Sequence, residues 1–215
     1  MIKTFNEIIN EVKNIASKSI QDVKQHPEFY KINFNEQKAN EIINGVSFEK
    51  GVARFADGFT DVINNRIIIN QDASVKWGEN YHKLVMLHEL AHSFTHNVSN
   101  VHQGHCRSWF YWQYAFYKEA FGEYKAKELS KYNIARYAGM LNDSGIEPIR
   151  KFANRIGVEF NEIDFNLPNV KNYCSNLLKQ PDTQLESLDK NKLKKHCAEN
   201  ENHNSENEAE GMEIN

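Results

Sequence analysis

Apolar residues recur at helical spacing from the start of the chain. Ile2, Phe5, Ile9, Val12 and Ala16 fall three or four positions apart on one face, which predicts an amphipathic helix ending before Pro27. A second, short helix is predicted over Asn35 to Asn44, with Ala39, Ile42 and Ile43 turned inward and Gly45 in the stop position. The period then changes. Val46, Phe48, Val52 and Phe55 alternate with small or polar residues, and Asp57-Gly58 and Asn64-Asn65 mark turns. Arg66-Ile67-Ile68-Ile69-Asn70 is β-branched and compact, a strand with both faces partly covered. A small antiparallel sheet is expected within residues 46–70.

Helical spacing returns over Asn80 to Asn97, where Leu84, Leu87, Ala91 and Phe94 share one side. A long helix is expected from near His105 to about Ser130. Trp109, Trp112, Gln113, Phe116, Tyr117 and Ala120 fall on its inner face. Another fits Glu147 to Ile156, with Pro148 in its first turn, Ile149, Phe152, Ala153 and Ile156 inward, and Gly157 after its end. Beyond Asn166 the pattern fades. Leu185 and Leu188 support at most one weak helix, and residues 198–215 hold six Glu but no Lys or Arg. The expected organisation is a domain over 1–165, a weakly structured extension over 166–197 and a disordered acidic tail over 198–215. The fold class is α+β, a small antiparallel sheet packed on helices.

Composition narrows the class. With 215 residues, 40% hydrophobic and 26% charged, the chain can bury a core and reads as an ordinary globular protein. A net charge of -3 supplies no basic field for nucleic acid or anionic membrane. Apolar runs such as Ile67 to Ile69 are too short to span a membrane, and polar residues interrupt the N-terminus too early for a secretory signal. Cys106, Cys174 and Cys197 form no C-x-x-C pair, which argues against a disulfide framework or a zinc ribbon. A reducing cytoplasm is the expected location.

Candidate chemistry is concentrated in Leu87-His88-Glu89-Leu90-Ala91-His92. Histidines four apart on a helix lie about 40° apart around the axis and about 6 Å along it, so both rings can reach one ion. Neutral imidazole suits Zn²⁺, which in catalytic sites takes three protein ligands and leaves one position for water. Glu89 stands beside the first ligand, where a carboxylate can take a proton from water and pass it to a leaving amine. Six of the nine histidines lie between residues 82 and 105, which makes the third ligand a choice among neighbours. A further His at position 98 is excluded, because that residue is Val98 and position 95 is Thr95 rather than Gly. His96 is too far along the helix axis, about 12 Å from His88. His102 falls in a loop, and Glu119 and Glu123 are available on the following helix. His105 precedes Trp109, Trp112 and Phe116 at spacings of 4, 3 and 4, which puts it on a buried face with its ring toward the first helix. The expected metal ligands are therefore His88, His92 and His105, with Glu89 catalytic.

These residues carry a resemblance. His88-Glu89-Leu90-Ala91-His92, twelve intervening residues, then His105-Cys106-Arg107-Ser108-Trp109 resembles the SprT-like zinc metallopeptidases, the group that includes the Spartan proteases. It covers about residues 51–120. The resemblance implies a zincin-like fold, a preceding strand such as Arg66 to Asn70, and a third ligand that opens a helix. It implies zinc as cofactor and a protein or peptide as substrate, and it admits a nucleic-acid partner that the net charge does not support. Cys106 stands where the family has Gly, and the C-terminal zinc ribbon of many members has no counterpart. The expected activity is zinc-dependent peptide hydrolysis. The alternatives are hydrolysis of a non-peptide amide, or a non-catalytic zinc-stabilised module that binds a protein or DNA.

Tyr111, Tyr114 and Tyr117 could each donate to an oxyanion, but core packing is the simpler role. Cys106 reads as a small buried thiol, His82 as a surface residue at a helix start, and the lysine run of residues 190–195 as a solvated face.

Overall fold

In the computed structural model, which describes residues 3–52, 56–70, 77–102, 104–138, 143–166 and 169–181, the first helical pattern becomes α1 (Phe5–Gln25). Thr4 starts it. Its hydroxyl accepts from the Glu7 amide while the Glu7 carboxylate accepts from the Thr4 amide at 2.6 Å, so two end groups are satisfied reciprocally. Ile8, Val12, Ala16, Ile20 and Val23 form its buried stripe. The short α2 (Pro27–Tyr30) leads to α3 (Glu36–Gly45), which Asn35 caps by accepting from the Lys38 amide at 3.0 Å. Gly45 is the last residue of α3 and not a left-handed stop beyond it, because the chain leaves through extended Val46.

Strands β1 (Ser47–Gly51), β2 (Gly58–Asp61) and β3 (Arg66–Asn70) form a sheet in the order β1-β3-β2. The expected antiparallel sheet is in fact mixed. β2 and β3 are antiparallel, but β1 runs parallel to β3, from Ser47 opposite Arg66 to Gly51 opposite Asn70. The cause is Asn65. With φ at 47° it closes the β2–β3 turn in a conformation that Asn tolerates, and its side chain donates to the Ile42 carbonyl of α3 at 3.0 Å. The Ser47 amide donates to the Asn65 carbonyl at 3.1 Å, so β1 and β3 begin side by side and run the same way. Alternation of apolar residues is identical for both directions and could not reveal this. Val52, expected inside, is 81% exposed, and Phe55 lies outside the described residues.

Ile67 and Ile69 bury one face of β3, and α4 (Glu79–Ser93) packs on β2 and β3. On its other sides α4 meets α1 and α5 (Arg107–Phe121), so it is buried almost all round, Glu89 included. His82, expected at the surface, is 2% exposed. Phe5 of α1 covers it with rings 5.5 Å apart, and burial, with the charge of Lys50, lowers its pKa to about 4. A π-helical turn, Phe94–Val98, ends α4. Its exit is tied down by Asn97, which donates to the Val62 carbonyl at 3.1 Å. Ser99 adds two bonds, donating to the Asn33 carbonyl and accepting from Trp112 Nε1, each at 2.9 Å.

The single helix expected over 105–130 is two helices. Gly122, with φ at 85°, breaks the run, and α6 (Glu123–Ala138) folds back along α5. That reversal returns the end of α6 to the candidate site. Helix α7 (Asp143–Arg155) begins earlier than expected and holds Pro148 within it; Ile149, Phe152, Ala153 and Ile156 are buried as expected. After a 3-10 turn (Phe160–Glu162) comes α8 (Val170–Lys179), which the fading pattern did not predict. Cys174, Leu177 and Leu178 join the core, Lys171 pairs with Asp57 at 2.7 Å, and Ser175 donates to the Trp77 carbonyl at 3.4 Å. One compact unit therefore runs through Leu178, past the boundary expected at residue 165, and Lys179–Asn215 is a second unit. Leu185, Leu188, the lysine run and the acidic tail lie outside the described residues. Among the described residues no helix is long and apolar enough to cross a membrane.

Candidate metal centre

His88 and His92 lie one turn apart on α4, and the third imidazole comes from the loop ahead of α5. His105 is not on the helical face of α5. It occupies a turn two residues earlier, closed by the Cys106 amide donating to the Gly104 carbonyl at 2.9 Å. The three residues still converge: one ring nitrogen of each lies within 4.8 Å of the others. Ring centroids are 5.3 Å apart for His88 and His92, 5.6 Å for His88 and His105, and 4.9 Å for His92 and His105.

Trp109 makes the floor. It is fully buried, with its ring 4.9, 5.4 and 4.5 Å from His88, His92 and His105. Tyr137, from the last turn of α6, stacks on His105 at 3.5 Å with the planes 12° apart. Burial lowers the pKa of His92 to about 4, and burial with the charges of His92 and Arg136 lowers that of His105 to about 3. That of His88 is held well below the ordinary histidine value by burial and then by the charges of His92, His105 and Arg136. All three rings are thus neutral near pH 7, the state in which imidazole binds a metal.

The residues fit a zinc ion. Nε2 of His105 is buried and has no hydrogen-bond partner, a defect that a ligated cation removes. Nδ1 of His88 lies 3.1 Å from the Gln113 side-chain amide; ligation through Nε2 would need Nδ1–H to donate, with the amide oxygen of Gln113 turned toward the ring. Gln113 is itself fully buried, and its amide lies 3.0 Å from the Tyr117 hydroxyl and 2.9 Å from the side-chain amide of Asn133. This chain of amides fixes the ring of His88, as the outer partners of metal-binding histidines do.

Glu89, about 100° further round α4, lines the same cavities as His88 and is held from the sheet side. The Thr60 hydroxyl lies 2.7 Å from its Oε2 and 2.8 Å from its backbone carbonyl. Burial raises the Glu89 pKa to about 7 against the opposing bond from Thr60. Gly58 allows this approach, since a Cβ there would stand 2.7 Å from Glu89 Cγ and 2.8 Å from Val85 Cγ1. Asp57-Gly58 therefore opens β2 and is more than a turn marker.

The rejected candidates lie elsewhere. His96 and His102 face each other at 4.3 Å outside the group of three. Glu119 pairs with Lys18 at 3.0 Å, and Glu123 accepts from Tyr114 at 3.1 Å and pairs with Lys127 at 3.2 Å. Cys106 is a half-buried free thiol outside the group. Tyr111, Tyr114 and Tyr117 are buried framework, and only Tyr117 lines a cavity beside the site. Sequence reasoning missed Gly58, Thr60, Arg136 and Tyr137. Gln113 did leave a signal, as a polar residue on an otherwise apolar face.

Two adjoining cavities share His88, Glu89 and Tyr137 as a wall. One, of about 420 Å³, runs past Thr60, His92 and His105; the other, of about 400 Å³, runs past Tyr81, Leu84, Tyr117 and Arg136. Compared with protein-family models, curated proteins and solved structures, the chain gives no match in any of the three.

Proposed function

We propose that this protein is a zinc-dependent metallopeptidase with His88, His92 and His105 as ligands and Glu89 as general base. The observation that carries the reading is the meeting of three neutral imidazoles beside a buried carboxylate with a pKa near 7. Zinc supplies a Lewis acid that lowers the pKa of water and polarises a carbonyl. Glu89 takes the proton of the attacking water and delivers it to the leaving amine. Thr60 orients that carboxylate, Gln113 orients His88, and Trp109 and Tyr137 hold the rings and exclude water beneath them. The resemblance to the SprT-like metallopeptidases supports a protein or peptide substrate and a zincin-like relationship for the α+β fold. The unpaired thiols of Cys106 and Cys174 accord with a reducing cytoplasm.

The test is metal analysis of the purified full chain, then hydrolysis of an unfolded protein with and without chelator. Glu89→Gln is expected to keep zinc and fold while lowering turnover by about 10²–10⁴. Wild-type turnover in that variant would refute the mechanism. Bound zinc without amide hydrolysis would instead favour the non-catalytic module.

A further inference from the structure

The cavity of about 400 Å³ has mixed walls, with Leu84, Val85 and Leu129 beside Asp57, Glu89 and Lys171. Its charges are mostly spent on each other. Asp57 accepts from Tyr81 at 2.8 Å and pairs with Lys171 at 2.7 Å, and Glu89 is engaged by Thr60. Arg136 differs. It is exposed, it lines the same cavity as His88 and Glu89, and its guanidinium lies 5.4 Å from the centroid of the Tyr137 ring. Among the described residues it has no acidic partner. Its charge also bears on His88, His105 and Tyr81, so it stands over the cleft and not on an outer face.

A guanidinium with no acidic partner, exposed on the wall of this pocket, offers a planar fork that matches a carboxylate in two parallel hydrogen bonds. The ring of Tyr137 lies under it at 5.4 Å, a cation–π distance. The pocket falls within the usual size of small-ligand sites, about 300–1,000 Å³. We propose that Arg136 anchors a carboxylate of the substrate in this cavity, so that the protein prefers peptides with an acidic group a short distance from the bond at Glu89. The inference rests on the metallopeptidase reading for that bond, and binding tests it separately. The carboxylate comes either from a free peptide C-terminus or from an acidic side chain.

Binding is measured by calorimetry on the full, zinc-loaded chain carrying Glu89→Gln, so that no turnover intervenes. The probes are an acetylated alanine tetrapeptide with a free C-terminus, its amide, and amidated tetrapeptides with one internal Glu or Gln. The free acid, or the internal-Glu peptide, is expected to bind about 10–100-fold tighter than its neutral partner. Arg136→Gln removes that gap, and Arg136→Lys, which keeps the cation over Tyr137, restores part of it. A gap with the free acid identifies the terminal carboxylate, and a gap with Glu alone identifies the side chain. Equal binding of acidic and neutral peptides overturns the proposal. So does a gap that survives Arg136→Gln but disappears in Lys171→Gln. Arg136-dependent binding with no hydrolysis by the wild type leaves the anchor standing and removes the peptidase reading.

Discussion

His88 and Glu89 are neighbours in sequence, yet opposite layers of the fold control them. His88 faces α5, where Gln113 engages its Nδ1 and Trp109 supports its ring. Glu89 faces the sheet, where Thr60 bonds its carboxylate and Gly58 leaves room for it. The α5 side is a rigid aromatic and amide framework of buried side chains, while the sheet side acts through one hydroxyl and one missing methyl group. On the proposed function, the difference implies that metal binding and proton transfer are separable, with substitutions on either side of α4 disturbing one without the other.

The largest expected effect is on the ligands. His88→Ala, His92→Ala and His105→Ala should each weaken zinc binding by roughly 100-fold or more, since outer-partner changes alone cost about 10–100-fold. His96→Ala and His102→Ala should stay near the wild-type affinity in a competitive chelator titration. Loss of zinc in His102→Ala but not in His105→Ala would make His102 the third ligand.

Gln113→Leu probes the α5 side. It should lower zinc affinity by about 10–100-fold, with Glu89 and its bond to Thr60 left in place. Unchanged affinity would show that Trp109 suffices to hold the His88 ring. Gly58→Ala probes the opposite side. Its Cβ would displace Glu89, so turnover should fall by about 10²-fold while zinc content stays stoichiometric. Parallel loss of zinc and turnover would break the separation between the two layers.

Thr60→Val should give the smallest change, roughly 2–10-fold in turnover. Thr60's bond lowers the Glu89 pKa, so removing it raises that pKa further above the ordinary carboxylate range. Activity requires the carboxylate and is lost as pH falls through its pKa, so the acidic limb of the rate profile should move to higher pH. A limb that stays put or moves down would mean that Thr60 does not set the protonation of Glu89.

The amino-acid sequence alone located much of the helical framework and the three histidines that the fold brings together. Apolar spacing located α1, α3, α4 and the inner face of α7, and H-E-x-x-H spacing put two imidazoles on one side of α4, because both are local consequences of 3.6 residues per turn. His105 was chosen through its helical spacing to Trp109, yet a loop turn and not the helix brings it to His88 and His92. What only the tertiary structure decided depends on contacts between distant segments. Asn65 bonding to α3 made the sheet mixed, and Phe5 buried His82. The break at Gly122 brought Arg136 and Tyr137 back to the site. Helix α8 did carry a local signal, with Val170, Tyr173, Cys174, Leu177 and Leu178 at helical spacing, and the expectation of a fading pattern passed over it. Thr60 and Gly58 have no signature of their own. Their role arises from the close approach of β2 to Glu89, a distance that no local pattern encodes.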